Sequence, residues 1–271
     1  MNMKRIKKTI KKYWAIFAIG IKEAINYRAE LLLWSTIDAM PLVAMVVIWL
    51  SAFENGGTIA GYTQSLLIAY YIAGYVFQDL TGSHFEEDML KQIQSGRIAT
   101  HLVKPLSLKR HLVTNELSWR FMSALVAVMP VIVLVTLFTN IMPPVHTIHL
   151  LILPILLFAY LMESIYSLMV LSMGFVFEQA KSLMHLKWML GWLFSGSMIP
   201  FEFMPQWLSQ IAELLPFKFR YYLPVQIYFG NIQGISILYQ FGLEIIWFLV
   251  LLFFMRLLWN KNLKKFTAVG N

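Results

Sequence analysis

The chain has 271 residues, of which 59% are hydrophobic, 15% aromatic and only 13% charged. About a quarter of the residues in soluble domains are charged, so this composition and a mean hydropathy of +0.65 exclude a soluble globular protein and predict an all-α membrane protein. The chain has no cysteine, which excludes disulfides and thiolate metal sites, and its net charge of +8 lies in a few segments, which indicates membrane topology rather than nucleic-acid binding.

Residues 4–25 have the pattern of an amphipathic helix that lies on the membrane surface. Apolar residues recur at spacings of three and four, while lysines fill the opposite face. The apolar set is Ile6, Ile10, Tyr13, Trp14, Phe17 and Ile21. A basic face opposite aromatic residues is typical of interfacial helices, and the alternative is a disordered basic tail.

Six apolar runs are each close to the length of about 20 residues that a bilayer requires. They lie at 30–52, 62–81, 115–139, 147–176, 183–200 and 236–259. The connections 52–62 and 139–149 contain no lysine or arginine. Apart from Lys218 and Arg220, nearly all cations lie in the N-terminal segment, the connection 82–112, the loop 177–187 and the C-terminal tail. Because cations concentrate on the cytoplasmic side, both termini and the connection 82–112 are predicted to be cytoplasmic. The whole chain, 1–271, forms a single transmembrane domain in this interpretation.

The longest polar connection between apolar runs is 82–112, hereafter the hairpin. Ser83 and Glu86 form a capping-box pattern, which predicts that a helix begins at His84. Gly96 is suited to end that helix, because glycine tolerates the left-handed conformation needed there. A second short helix is expected over 97–103, before Pro105.

The first hairpin helix is predicted to be amphipathic. Phe85, Met89 and Ile93 share one face, which we expect to be available to a partner protein. Glu87 and Lys91 are spaced to form an ion pair on the exposed face. The charged residues of this helix, Glu86 included, give it a surface suited to docking.

The connection 196–235 is too polar and too rich in proline to be an ordinary span, yet too apolar for a free loop. Irregular backbone at membrane depth requires burial in protein or a cavity. We therefore predict a pair of short re-entrant or interfacial helices over 200–235, on the outer side. An ordinary extracellular loop is the alternative.

The candidate ionisable residues inside the predicted spans are Asp38, Arg120, Glu163 and Glu244, while Asp79 and Glu116 lie near cytoplasmic span ends. Such residues are rare in membranes and usually functional, so they are candidates to face a translocation pathway or a subunit interface. Glu163 lies deepest and is the strongest of these candidates. The alternative is a set of structural pairs, such as a carboxylate at the cytoplasmic end that neutralises Arg120.

No pattern in the sequence indicates catalysis by this chain. The sequence contains neither HExxH, GxSxG nor GxxxxGK[ST], the patterns of zinc proteases, serine hydrolases and P-loop ATPases. All six histidines lie in connections or at span ends. The chain is therefore not expected to be an enzyme.

Two motifs resemble one family. The hairpin run SGRIATHLVKPLSL, with Gly96, Leu102 and Pro105, resembles the cytoplasmic loop of the exporter-type (type-2) permeases of ATP-binding-cassette transporters. The run beginning FSGSMIPFEFMP resembles the same family's segment after span five. The matching positions there include Gly196, Pro200, Pro205, Trp207, Pro216 and Pro224. With the six-span layout, the resemblance covers nearly the whole chain, and it is closest to a bacterial subfamily of about 260 residues whose ATPase is a separate chain.

The resemblance implies a role for each segment. Two permease chains, identical or paralogous, would form a pathway in the bacterial plasma membrane, and two copies of an ATPase would bind ATP and Mg below them. This chain itself would bind no cofactor. The hairpin would be the coupling element, and its candidate contact residues are Phe85, Glu86, Glu87, Met89, Gly96, Arg97, Leu102 and Pro105. The residues after span five would form re-entrant helices at the exit.

Two other functions stay open on the sequence alone. The buried acids suit an ion-gradient-driven carrier or channel, although no inverted repeat is evident. A non-transporting scaffold or immunity protein is the third candidate. The aromatic outer segment favours an amphipathic or hydrophobic cargo, but aromatic residues also anchor helices at interfaces.

Overall fold

The computed structural model of the chain describes residues 3–53, 57–130, 133 and 150–265. The only β-type pairing within them is a bridge between Ile59 and Tyr62. The α-helices are α1 Met3–Asn26, α2 Arg28–Ala52, α3 Gln64–Thr81, α4 Glu86–Gln94, α5 Ala99–Leu102, α6 Leu108–Ser123, α7 Ile152–Gly174, α8 Lys181–Phe194, α9 Gln206–Leu214, α10 Tyr222–Tyr228 and α11 Ile235–Leu263. Helix α6 continues into a π-helical turn, and 3-10 turns precede α9 and α10.

Three of the described helices, α2, α7 and α11, are long and apolar enough to cross a membrane. Helix α7 is largely buried, with 67% of its most apolar window inside the protein, whereas the corresponding values for α2 and α11 are 11% and 17%. The chain therefore has an apolar helix at its centre and apolar helices on its outside. This arrangement agrees with the predicted all-α membrane protein, while the count of six spans stays a prediction.

The fifth predicted span, 183–200, is shorter than expected. Helix α8 has 14 residues and ends at Phe194, so it is about 21 Å long at 1.5 Å per residue. The chain then reverses at Gly196, whose φ of +85° is in the left-handed region that glycine adopts easily. The third predicted span, the loop 139–149 and the start of the fourth span lie partly or wholly outside the described residues.

Helix α7 is the centre of the larger hydrophobic core. Buried residues of α4, α6, α10 and α11 surround it, including Leu90, Leu112, Leu223 and Met255. A second, aromatic core lies around α3 and contains Tyr62, Tyr70, Tyr71, Tyr221 and Phe229. The two cores place both the hairpin and the outer segment (196–235) in direct contact with the long helices.

Helix α1 packs lengthwise against α6 through small residues. A β-carbon on Gly20 would lie 2.7 Å from the Asn115 side chain, and Ala24 is fully buried. Gly20 and Ala24 are one turn apart, a spacing that lets two helices approach closely. The predicted apolar face only partly faces the protein, because Ile10 and Trp14 stay exposed. The position of α1 at a membrane surface stays a prediction.

Candidate functional site

The hairpin forms two short helices, α4 and α5, around a glycine. Gly96 has a φ of +71° and its amide donates to the Ile93 carbonyl at 3.0 Å. The left-handed helix end predicted at Gly96 is thus confirmed. Lys91 contacts Glu87 at 3.2 Å and Asp88 at 3.3 Å, which confirms the predicted pair on the exposed face of α4.

The capping box predicted at the start of α4 is wrong. The helix begins at Glu86, the residue before it is Phe85, and no side chain caps its first turn. The hydroxyl of Ser83 is buried and has no hydrogen-bond partner among the described residues. Instead of turning back to cap the helix, the Glu86 carboxylate pairs with a lysine from α8.

That lysine, Lys187, forms a buried ion-pair cluster with Glu86. The Lys187 ammonium contacts the Glu86 carboxylate and donates to the Ser83 carbonyl at 3.0 Å and to the Ser167 hydroxyl of α7 at 2.9 Å. The side chains of Lys187 and Glu86 are 7% and 0% exposed. Glu86 is therefore not part of a docking surface, which corrects the prediction, and it fixes the start of α4 to α7 and α8.

The apolar face of α4 is also directed into the protein rather than outward. Leu90 and Ile93 are buried and lie against Gly174 at the end of α7. Phe85 and Met89 are half-buried and pack against the same core. The predicted apolar face for a partner is thus already occupied by the chain's own core, because α7 offers a larger apolar surface at short range.

Besides the exposed charged face of α4, the outward surface of the hairpin includes α5 and the residues after it. Val103 is 83% exposed, and Arg97, Lys104 and Pro105 are exposed beside it. Leu102 is half-buried. Lys12 of α1 donates to the Pro105 carbonyl at 2.7 Å, so the N-terminal helix and the hairpin lie side by side.

Two of the three histidines of the hairpin, His101 on α5 and His111 on α6, have their ring centres 6.4 Å apart. Burial lowers the pKa of both imidazoles, and the nearby Lys104 ammonium lowers it further. Both rings are consequently neutral at neutral pH, so the positive charge of this surface comes from Lys104 and Arg97.

A second buried cluster, centred on Arg120, contacts the first residues of the hairpin from α3 and α6. Arg120 of α6 donates to Glu116 at 2.9 and 3.1 Å and lies 3.7 Å from Asp79 of α3. Glu116 also accepts the His84 amide at 3.2 Å, and Asp79 accepts the Ser123 hydroxyl at 2.9 Å. Arg120 is thus paired with carboxylates near the end of α3 and in the middle of α6, as the structural alternative anticipated.

A third ion pair lies at the middle of α7. Glu163, the central residue of this helix, pairs with Arg220 at 3.1 Å, and both side chains are largely buried. Arg220 belongs to the outer segment and is one of the few cations that depart from the cytoplasmic charge bias. The sequence contained the two residues, but nothing in their spacing predicted that they meet.

The remaining two intramembrane candidates have different surroundings. Asp38 lies on the exposed face of α2. Glu244 of α11 is fully buried, and none of the described residues forms a hydrogen bond with either carboxylate oxygen. Arg120 and Arg220 both interact electrostatically with the Asp38 carboxylate, whereas no charged group among the described residues is shown to act on Glu244.

Glu244→Gln is expected to change the free energy of unfolding by less than about 1 kcal/mol, because a carboxyl group buried without a partner takes up a proton and is then neutral like the amide that replaces it. Thermal unfolding of the purified protein in detergent measures this change. Glu213→Gln on the exposed face of α9 is the control and should change stability little. A loss of stability in Glu244→Gln would show that the carboxylate has a partner.

The outer segment is built around its glycine and prolines. The Tyr70 hydroxyl donates to the Gly196 carbonyl at 2.7 Å, and Pro205 immediately precedes α9. Trp207 on α9 is 65% exposed. The buried prolines of the segment are Pro200, Pro216 and Pro224.

This segment reaches the middle of α3. The Tyr221 ring lies against Gly74, at a distance where a β-carbon on Gly74 would overlap it. Its hydroxyl donates to the Tyr71 carbonyl at 3.3 Å. Together with the Arg220 contact to the centre of α7, this places the segment among the long helices rather than above them.

Comparison with known proteins gives the family. A family model described as ABC-2 family transporter protein matches residues 39–270, which is most of the chain. The chain belongs to the ABC-2 transporter family. It is a permease component of an ATP-binding-cassette transporter and an integral membrane protein, and membership implies association with an ABC ATPase and dimerisation in general. No curated protein and no solved structure matches it.

Within this ABC-2 chain, sequence reasoning missed Lys187, Ser167 and the role of Arg220. Lys187 lies where the predicted loop 177–187 overlaps the predicted span 183–200, so the charge bias alone accounts for its position and no partner is predicted for it. Arg220 lies on the predicted outer side, against the charge bias. This position was a signal in the sequence that Arg220 has an acidic partner, because a cation there is not explained by topology. Glu163 was the deepest acid available.

Proposed function

We propose that this chain is the permease subunit of an ATP-driven exporter. It forms half of a translocation pathway with a second permease chain, identical or paralogous, and a separate ATPase in two copies binds ATP and Mg. The observation that carries the proposal is the hairpin, which the Glu86–Lys187 pair joins rigidly to α7 and α8 while Val103 and its cationic neighbours face outward. Because a buried ion pair joins this surface to α7 and α8, movement of a docked protein is transmitted to the long helices.

The proposed topology has six spans in a bacterial plasma membrane, with both termini in the cytoplasm. Two observations support it. Cations are concentrated in the terminal segments and the hairpin, as the charge bias of cytoplasmic loops requires. The bond from Lys12 to the Pro105 carbonyl also brings α1 and the hairpin to one side.

The contact surface for the ATPase is proposed to be Arg97, Leu102, Val103, Lys104 and Pro105. Gly96 sets the turn that projects this surface, and Glu87 adds charge beside it. Phe85 and Met89 contribute from the inside, by packing α4 against α7. Of the two hairpin helices, α5 is therefore the one that touches the partner.

The outer segment is proposed to be re-entrant and to close the exit of the pathway. Its depth supports this, since Arg220 reaches the centre of α7 and Tyr221 reaches the middle of α3. Backbone that enters a membrane must be buried in protein, and the buried Phe219 and Val225 satisfy this requirement.

Val103→Glu is expected to reduce the ATPase that copurifies with the chain by roughly thirtyfold, because a central apolar contact contributes about 2 kcal/mol to an interface. The measurement is quantitative copurification from cells that express both chains. Trp207→Glu, a matched change at an exposed apolar residue on the outer segment, should retain the ATPase. Equal recovery of ATPase with both variants would remove α5 from the interface.

Energy dependence separates the exporter from an ion-gradient-driven carrier. Export in proteoliposomes should stop when ATP is withheld and should persist when an uncoupler collapses the ion gradient. The opposite pattern would contradict the proposed function.

A further inference from the structure

Two largely buried cations, Lys187 and Arg220, lie between helices α7 and α8, at levels about one helical turn apart. On α7, Glu163 and Ser167 are four residues apart and therefore lie on one face. On α8, Lys187 and Gly191 have the same spacing. The ion pair of Glu163 and Arg220 lies at one level, and the contact of Lys187 with Ser167 lies at the next.

Each cation also connects a different end of the molecule to this pair of helices. Lys187 contacts Glu86 at the start of α4, so this level is tied to the hairpin. Arg220 comes from the outer segment, and its Nη1 lies 3.5 Å from where a β-carbon on Gly191 would be. Because Gly191 has no side chain, the Arg220 guanidinium can lie directly beside α8.

We propose that Lys187 is a positioning residue that couples the hairpin to the outer segment through Ser167, Glu163 and Arg220. A movement of α4 displaces Lys187 between α7 and α8. Because the side chains of adjacent turns are about 5–6 Å apart, that displacement changes both the packing and the field at Arg220. The proposal deepens the proposed function and rests on it for the source of the movement.

Charge balance makes the coupling specific. Lys187 is neutralised by Glu86 and Arg220 by Glu163. Both cations also act electrostatically on the His84 ring, so the two levels lie around the same side chain in a medium of low polarity. Neutralising Glu86 leaves the Lys187 charge uncompensated, so it acts on Arg220 one turn away. The same change at Asp88, which is exposed on α4, has no such route.

The chain has no cysteine, so one introduced thiol reports on one place. With Gln206→Cys at the exposed start of α9, the modification rate by a membrane-impermeant thiol reagent is measured in proteoliposomes of the purified chain. Glu86→Gln, which keeps a hydrogen-bond acceptor, is expected to change this rate by about twofold to thirtyfold. Asp88→Asn, the control, should leave it within twofold.

A double-mutant cycle identifies the route. In an Arg220→Gln background, Glu86→Gln should no longer change the modification rate of the introduced thiol. In the original background, Lys187→Arg keeps the positive charge and should leave that rate close to its value without the substitution. Independent effects of Glu86→Gln and Arg220→Gln, or no effect of Glu86→Gln, would overturn the proposal. If Glu86→Gln does not fold, Ser167→Ala serves in its place with the same two expectations.

This experiment contains no ATPase, so its result is separate from that of the copurification test. Coupling without ATPase binding would contradict the proposed function alone. ATPase binding without coupling would contradict only the role of Lys187.

Discussion

Lys187→Met is expected to lower the free energy of unfolding by about 3–5 kcal/mol, the cost of removing one partner from a buried ion pair. The Glu86 side chain is 0% exposed and would stay buried without its cation. The substitution also removes the bonds to the Ser83 carbonyl and the Ser167 hydroxyl. Because these bonds join three segments, the hairpin should loosen from α7 and α8.

Chemical or thermal unfolding in detergent measures this loss, and the chain's nine tryptophans supply a fluorescence signal. Lys91→Met is the matched control, because Lys91 is 49% exposed and its pairs with Glu87 and Asp88 are screened by water. The double variant Lys187→Met with Glu86→Met should recover most of the stability, since apolar residues often replace a buried pair without loss. Equal effects of Lys187→Met and Lys91→Met would contradict the assigned cluster.

Gly74→Ala is expected to destabilise the protein by about 3 kcal/mol and to displace the outer segment, because an added methyl group overfills a packed core. The new β-carbon would overlap the Tyr221 ring. That ring cannot move aside easily, since it is 3% exposed and its hydroxyl is bonded to the Tyr71 carbonyl. Relief requires movement of the backbone around Tyr221, and α10 follows directly from it.

The matched control is Gly242→Ala on α11, where a β-carbon would meet no described atom within 4 Å. Alanine favours a helix over glycine by up to about 1 kcal/mol, so this variant should be as stable as the original or more so. A Gly74→Ala protein that unfolds at the same temperature as Gly242→Ala would show that Tyr221 is not confined. Adding Tyr221→Leu to Gly74→Ala should recover part of the loss.

Local chemistry explains which features of the hairpin could be predicted. The helix end at Gly96 and the pair of Glu87 with Lys91 each depend on residues within one turn, so their spacing in the sequence is sufficient. The capping box failed although it is equally local. Glu86 has one carboxylate, and a lysine 101 positions away competes for it more strongly than a backbone amide, because burial strengthens the charged pair.

For the intramembrane charges, too, the sequence predicts that a partner is needed but does not identify a distant one. The sequence placed Arg120 and Glu163 inside apolar runs, which was enough to state that each needs a partner. It also placed Glu116 one turn before Arg120. The unusual position of Arg220 indicated that it needs an acid, but its contact with Glu163 depends on how deeply the outer segment enters the bundle, which the sequence does not specify.

Composition and apolar run length by themselves determined an all-helical membrane protein, since about 20 apolar residues in a helix satisfy every backbone group in lipid. Periodicity and turn residues determined the short helix at 86–94 to within a few positions and the presence of short helices within 200–235. Only the tertiary structure decided which faces of these helices are buried, and that Lys187 and Arg220 meet carboxylates between α7 and α8. Those contacts join residues far apart in the chain, and in a protein whose surfaces are nearly all apolar, hydrophobic pattern alone cannot select the partner of each face.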